Sequence, residues 1–188
     1  LRNTFYSGVA RALYPRRTNT HAGLDRLLRE NFYTIRAARR VALLTNHAAV
    51  DQMGRHILDV PGLGASHTLH VLYSPEHGIR GTHEAGAEVA SERGAVPVIS
   101  LYGKRTRPTA AELSEIGYFL IDLQDIGSRY YTYMATMREC LSACAQAKKP
   151  VLILDRPNPL GGAVLEGPIA ERTGSPVCCA PIPVRHGM

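Results

Sequence analysis

Short runs of consecutive apolar residues recur along the chain, separated by segments with helical spacing or by turn residues. Val41-Ala42-Leu43-Leu44-Thr45 is the first run, Leu69-His70-Val71-Leu72-Tyr73 the second, and Pro97-Val98-Ile99-Ser100-Leu101 the third. Tyr118-Phe119-Leu120-Ile121-Asp122-Leu123 is the fourth, Val151-Leu152-Ile153-Leu154 the fifth, and Pro183-Val184 begins a sixth. Runs that do not alternate with polar residues suit parallel strands covered on both faces. Between them, the spacing predicts a helix around Leu24–Leu28 and another over residues 50–59, ended by Pro61 and Gly62. Thr109 is placed to cap a helix over residues 110–116, ended by Gly117. The longest helix is predicted from Tyr131 to Lys148, with Met134, Met137, Leu141 and Cys144 on its core stripe. This βαβαβ order predicts an open α/β sheet with right-handed crossovers. Pro and Gly cluster in 155–168 and 174–187, where loops are expected.

Length and charge refine this picture. The 188 residues suffice for one α/β domain, expected over residues 21–188 behind a basic, mobile lead-in over 1–20. A net charge of +6 would ordinarily direct attention to nucleic acid or membranes. Residues 1–40, however, hold nine Arg against Asp25 and Glu30 (+7), leaving 13 basic and 14 acidic residues (−1) in 41–188. The charge belongs to the N-terminal segment, and without Trp or a basic helical stripe no nucleic-acid partner is expected. No run of 18 apolar residues predicts a membrane span, and the N-terminal residues carry no apolar core of a secretory signal. Cys140, Cys144, Cys178 and Cys179 form no zinc-type CxxC pair and read as idle thiols.

The chemistry gathers after the strands. Asn46-His47 follows the first, Ser74-Pro75-Glu76-His77-Gly78-Ile79-Arg80-Gly81 the second, and Tyr102-Gly103-Lys104-Arg105 the third. The fourth runs into Asp122-Leu123-Gln124-Asp125-Ile126-Gly127-Ser128-Arg129-Tyr130-Tyr131, the fifth into Asp155-Arg156-Pro157-Asn158, and the sixth into Arg185-His186-Gly187. In an open parallel sheet these turns emerge on one edge, where ligands bind. GxGxxG after the first strand, a Walker A loop and a GxSxG elbow are all missing, so no cofactor is expected.

Carboxylates are the natural candidates for catalysis. Glu76, in a Gly-bounded turn, is the candidate acid of a glycoside hydrolase, since burial among strand ends can raise a carboxyl pKa; a loop-fixing pair with Arg80 is the alternative. Asp122, inside a strand, suits a structural hydrogen bond, and Asp155 a loop tether. Tyr102, Tyr130, Tyr131 and Tyr133 could stack on sugar faces or pack in the core. Arg80, Lys104, Arg105, Arg107, Arg129 and Arg156 could grip an anionic group. His47, His77 and His186 with Asp125 and Asp155 could converge on a metal, but HExxH spacing is missing and no metal is expected.

Seven motifs then occur in order: TNH at 45–47, SPEHGIRG at 74–81, SLYG at 100–103, DLQDIGSRYYTY at 122–133, LDRPNPLGG at 154–162, EGP at 166–168 and PIPVRHGM at 181–188. Together they make the chain resemble the DUF1343 family of exo-acting β-N-acetylmuramidases. The resemblance implies a Rossmann-like open, mostly parallel sheet with helices on both faces, which carries the catalytic cleft, and a smaller second domain. It implies a glycosidase that releases N-acetylmuramic acid from the non-reducing end of peptidoglycan fragments, in a periplasmic or extracellular setting. By the same resemblance Glu76 is the leading catalytic residue. Asp125 is a second catalytic carboxylate that either attacks or orients the sugar's own acetamide. Asn46, His47, His77, Arg80, Tyr102, Arg129, Tyr131, Arg156, Asn158, Glu166 and His186 position substrate. Ala48-Ala49 stands where the family commonly has Thr-Gly, which removes a hydroxyl. Family members are about twice as long, so this chain alone is expected to have weak or no muramidase activity. A muropeptide-binding module without turnover and a metal-dependent hydrolase are the competing readings.

Overall fold

The structure, a computed structural model, describes residues 20–60, 63, 68–79, 81 and 96–187. The lead-in, apart from Thr20, and Arg80 lie outside the described residues. Five strands form one parallel sheet: β1 (Arg40–Thr45), β2 (Thr68–Ser74), β3 (Val98–Ser100), β4 (Tyr118–Asp122) and β5 (Val151–Ile153), in the order β3-β2-β1-β4-β5. The chain lays β2 and β3 on one side of β1, then returns to lay β4 and β5 on the other. The strand order therefore reverses between β1 and β4, and the crevice for a ligand opens at their carboxyl ends.

Both faces of the sheet are covered, which explains why its strands lack alternation. Val41 and Leu43 of β1 face a core with Leu72, Leu120, Leu154 and helix α1 (Gly23–Arg29), which contributes Leu24 and Leu27. Ala42 and Leu44 face the opposite core with Val71, Tyr73, Phe119, Ile121 and two helices, α2 (Ala110–Ser114) and α3 (Tyr133–Gln146). Tyr73 and Phe119 stack across this second core with ring centroids 5.5 Å apart, an arrangement that adds about 0.5–1.5 kcal/mol beyond area burial. The α/β, Rossmann-like expectation holds.

Three local expectations need correction. Residues 50–59 do not form a helix. Asp51 Oδ1 accepts from the backbone N–H of Met53 (2.9 Å) and Arg55 (2.8 Å), Gly54 turns at φ 79°, and Val50 pairs with His56. An Asp side chain that satisfies local N–H groups competes directly with a helix ladder, and one 3-10 turn, Ile57–Asp59, remains. Pro183-Val184 does not begin a strand; Arg185 instead makes isolated antiparallel bridges with Ser128 and Glu166. The buried stripe of α3 is Tyr133, Thr136, Cys140, Ala143 and Cys144, with Met137 and Leu141 at its flank.

The Thr109 cap is confirmed. Its hydroxyl accepts from Glu112 N–H while Glu112 accepts from Thr109 N–H, closing a capping box. Burial alone would raise the Glu112 carboxyl, but hydrogen bonds from Arg105, the Thr109 backbone and Tyr73 bring it down to about 2. α2 is shorter than expected: past Ser114 the backbone tightens, Glu115 and Ile116 N–H donating to Glu112 O and Leu113 O three residues back, and Gly117 N–H donates to Arg40 O just before β4.

Candidate active site

Strand register dictates which loops meet. Thr45 of β1 is level with Asp122 of β4, so Asn46-His47 leaves the sheet beside Leu123-Gln124-Asp125. Leu44 is level with Tyr73, which brings the Ser74-Pro75-Glu76 turn alongside. Ser74 is level with Ser100, so Tyr102 emerges next to Glu76.

Glu76 is buried, at 8% exposure, in a tight turn in which Gly78 N–H donates to Pro75 O (3.1 Å). His77 (φ 71°) and Gly78 (φ 74°) are both left-handed. A non-Gly residue there costs roughly 1 kcal/mol, so the turn is held by its surroundings rather than by local preference. Thr132, at the start of α3, donates its hydroxyl to Glu76 Oε2 at 2.7 Å. The Tyr102 hydroxyl also donates to Glu76; that bond, some burial and the carboxylate charge together raise the Tyr102 pKa. Burial, then Tyr131, push the Tyr133 hydroxyl up to about 12; the neighbouring Asn46 amide opposes this, and the charges of Glu76 and Asp125 add to it. Tyr133 thus stands where the β1, β2 and β4 loops meet. Tyr131 packs edge-on against it, centroids 5.3 Å apart, and keeps 39% exposure.

A second group of residues builds the wall around Asp125. Asp125 Oδ1 accepts from Gly127 N–H (2.6 Å) and lies 3.3 Å from Nε2 of His186, which is 2% exposed. His186 N–H donates to Gly127 O (3.0 Å), and its carbonyl accepts from Asn158 Nδ2 (2.9 Å). Gln124 Nε2 donates to Pro157 O (3.0 Å), joining the β4 and β5 loops. On the opposite side, the His47 ring lies against Gly81, where a Cβ would come within 2.6 Å of Nδ1. Burial first, then the nearby His77 and His56, lower the His47 pKa.

The structure thus brings Glu76, Tyr102, Asn46, Asp125 and His186 into one region and sets Tyr131 at its rim. Other candidates have partners that hold the scaffold. Arg156 is inside the protein, bonded through two nitrogens to Asp122 and through Nη1 to Val50 O (3.0 Å). Burial pushes the Asp122 carboxyl upward, against the pull of Arg156. Arg129 donates to the carbonyls of Pro168 (2.7 Å) and Ile182 (2.8 Å), pinning the long loop after β5. Glu166 is exposed and pairs with Arg185 at 2.6 Å. Arg105 pairs with Glu112, and Arg107 with Glu139 at 3.5 Å. Asp155 accepts from Arg156 N–H (2.9 Å), the tether expected of it. Among the described residues no three His, Cys, Asp or Glu side chains gather as metal ligands, and no helix is long and apolar enough to cross a membrane.

Sequence reasoning assigned no role to Thr132, and it left Tyr133 open between sugar stacking and core packing. The sequence placed Thr132 inside the helix predicted from Tyr131, and nothing in it singled out the hydroxyl; α3 begins only at Tyr133.

Comparison with known proteins shows the family and the fold. Residues 41–188 match the family described as exo-β-N-acetylmuramidase NamZ, N-terminal, and the chain belongs to that family. It is 39% identical over 177 residues to the peptidoglycan β-N-acetylmuramidase NamZ of Bacillus subtilis (strain 168), covering 92% of this chain and 42% of that protein. Crystal structures of two DUF1343 family proteins from Bacteroides fragilis NCTC 9343 are also similar. One has a TM-score of 0.78 and 37% identity over 89% of this chain and 43% of the other; the second has 0.71 and 31% over 91% and 44%. The chain spans less than half the length of these relatives.

Proposed function

We propose that this chain carries the catalytic site of an exo-β-N-acetylmuramidase that removes N-acetylmuramic acid from the non-reducing end of peptidoglycan fragments. The observation that carries the reading is the buried Glu76 on the turn after β2, bonded by Thr132 at the head of α3, with Tyr133 close to both Glu76 and Asp125. The similarity to a peptidoglycan β-N-acetylmuramidase supports the choice of sugar. An envelope or extracellular setting follows from that substrate.

In this mechanism Glu76, protonated, gives its proton to the glycosidic oxygen as the C1–O bond breaks and its electron pair passes to that oxygen. The oxygen of the sugar's own 2-acetamido group bonds to C1 from the other face as the amide proton passes to Asp125, and water then opens the resulting oxazoline as Glu76 takes that water's proton. In the direct route water bonds to C1 and gives its proton to Asp125. Asp125, held by Gly127 N–H and beside His186, orients that nucleophile. Asn46, His47, His77, Tyr102 and Tyr131 contact the sugar. Arg80, four residues after Glu76 in the same turn motif, is the candidate for its lactyl carboxylate. Arg129, Arg156, Asn158 and Glu166 hold the loops that shape the cleft.

The test is hydrolysis of a chromogenic β-N-acetylmuramide beside the matching glucosaminide, with wild type and Glu76→Gln. Weak cleavage of the muramide alone, lost in Glu76→Gln, is expected of this chain, which spans less than half of its relatives. Equal cleavage of both sugars refutes the specificity, and cleavage unaffected by Glu76→Gln refutes the role of Glu76. Muropeptide binding without turnover would identify a sugar-binding module instead.

A further inference from the structure

We propose that Thr132 is the positioning residue of Glu76: its hydroxyl, fixed by α3, sets the orientation and the proton affinity of the Glu76 carboxyl group through Oε2. The inference rests on the reading of Glu76 as the site's acid and deepens it.

Three observations carry it. The first is how Thr132 uses its hydroxyl. Thr132 occupies the N-cap of α3, where a Thr side chain ordinarily accepts from the N–H two or three residues on and stabilises the helix by about 1 kcal/mol. Here the backbone has turned to helical angles (φ −77°, ψ −8°) and the side chain makes no capping bond. Thr109, at the head of α2, does cap in the ordinary way. Of the two threonines in equivalent places, Thr132 alone has its hydroxyl turned from its own helix to a carboxylate on another loop.

The second is geometry. The bond is 2.7 Å long, within the range of a charge-assisted O–H···O contact, and both residues are buried (6% and 8% exposed). It spans 56 residues of sequence and ties the β2 turn to the first turn of α3. The Thr132 carbonyl meanwhile accepts from Thr136, by both N–H (3.0 Å) and hydroxyl (3.2 Å), so the residue is fixed by its own helix.

The third is need. The turn that carries Glu76 contains a left-handed His77, so it does not hold its shape unaided. A donor fixed to a helix gives Glu76 an orientation that the turn alone would not.

The experiment compares wild type, Thr132→Ser, Thr132→Val and Thr132→Ala. Glu76 is titrated by carbon NMR of 13C-labelled glutamate, its signal assigned by its loss in Glu76→Gln. Removing a donor from the charged carboxylate should move the midpoint of Glu76 upward in Thr132→Val and Thr132→Ala, while Thr132→Ser keeps the wild-type midpoint. Turnover should fall about tenfold in kcat with KM little changed, and recover in Thr132→Ser. A purely structural Thr132 would lower the melting temperature and leave the midpoint alone. A midpoint unmoved in either folded variant without the hydroxyl overturns the proposal, as does a Thr132→Ser midpoint that follows Thr132→Val. The titration needs no substrate. Muramidase turnover in wild type therefore bears on the proposed function alone and leaves the Thr132 result to stand or fall separately.

Discussion

Arg156 meets Asp122 in a two-pronged ion pair inside the protein, the side chains 1% and 0% exposed. Its third nitrogen reaches Val50 O, so one residue after β5 locks the end of β4 to the loop after β1. Removing one partner of such a pair leaves a buried charge uncompensated. Arg156→Ala should cost about 3–5 kcal/mol of stability, and Arg156→Lys should recover little of it, because an ammonium cannot span two carboxylate oxygens. Urea unfolding checks this. An unchanged midpoint in Arg156→Ala together with lost muropeptide binding would mean that Arg156 touches the sugar after all.

Gly127 and Asn158 test how tightly the Asp125 wall is built. Gly127 sits at φ +78°, and a Cβ there would lie 2.3 Å from Asn158 Oδ1. Gly127→Ala should therefore cost more than the roughly 1–2 kcal/mol of a left-handed Ala alone. Asn158→Ala removes the obstructing amide but also its bonds to His186 O and Leu160 N–H. The double variant should lose less stability than the two single losses added together. Strict additivity in thermal unfolding would show that the two positions do not press on each other.

These residues show what could be read from the sequence. The strands were legible because a sheet covered on both faces needs continuous apolar runs, and Val41–Leu44 supplies them to both cores. The site was legible as a set of loops, because polar residues after every strand must share one edge. What each side chain does there was not legible. Arg156 and Arg129 look alike in sequence to arginines that grip a ligand; burial and the nearest carbonyl or carboxylate decide otherwise, and both are tertiary facts. Residues 50–59 have a helical apolar pattern, but Asp51 lies where its carboxylate closes a turn first. Thr132 looks like one more residue of the helix predicted from Tyr131, and only the fold brings Glu76 within 2.7 Å of it.

His47 gives the site a pH signature. Burial and the neighbouring His77 and His56 hold its pKa below the ordinary 6.5. The unfolded chain therefore binds this proton more readily than the folded one. The stability tied to neutral His47 is complete above about pH 6.5 and declines as pH falls toward the lowered folded value. His47→Gln should flatten the fall in melting temperature between about pH 6.5 and 5. A variant with the same pH slope as wild type would show that His47 protonates without penalty.

The cysteines separate by burial, and alkylation should read the difference. Cys140 and Cys144 lie on the inner stripe of α3, each fully buried, whereas Cys178 and Cys179 are half-buried in the loop after β5. Burial, with a contribution from the Cys144 thiol, pushes Cys140 strongly upward, and burial pushes Cys144 up to about 11. The thiolate is the reacting form, so at pH 8 both inner thiols are almost wholly unreactive as well as hidden. Iodoacetamide should add two groups to the native chain, at Cys178 and Cys179, and four in denaturant, counted by intact mass and placed by peptide mapping. Because Cys140 and Cys144 bear on Tyr73, Phe119 and Ile121, a larger group there would open the core beneath β4. Label on Cys140 or Cys144 in the native chain at rates near those of Cys178 would therefore mean that α3 lifts from the sheet. That motion would also withdraw Thr132 from Glu76, so inner-thiol labelling should rise together with any loss of the Thr132–Glu76 bond.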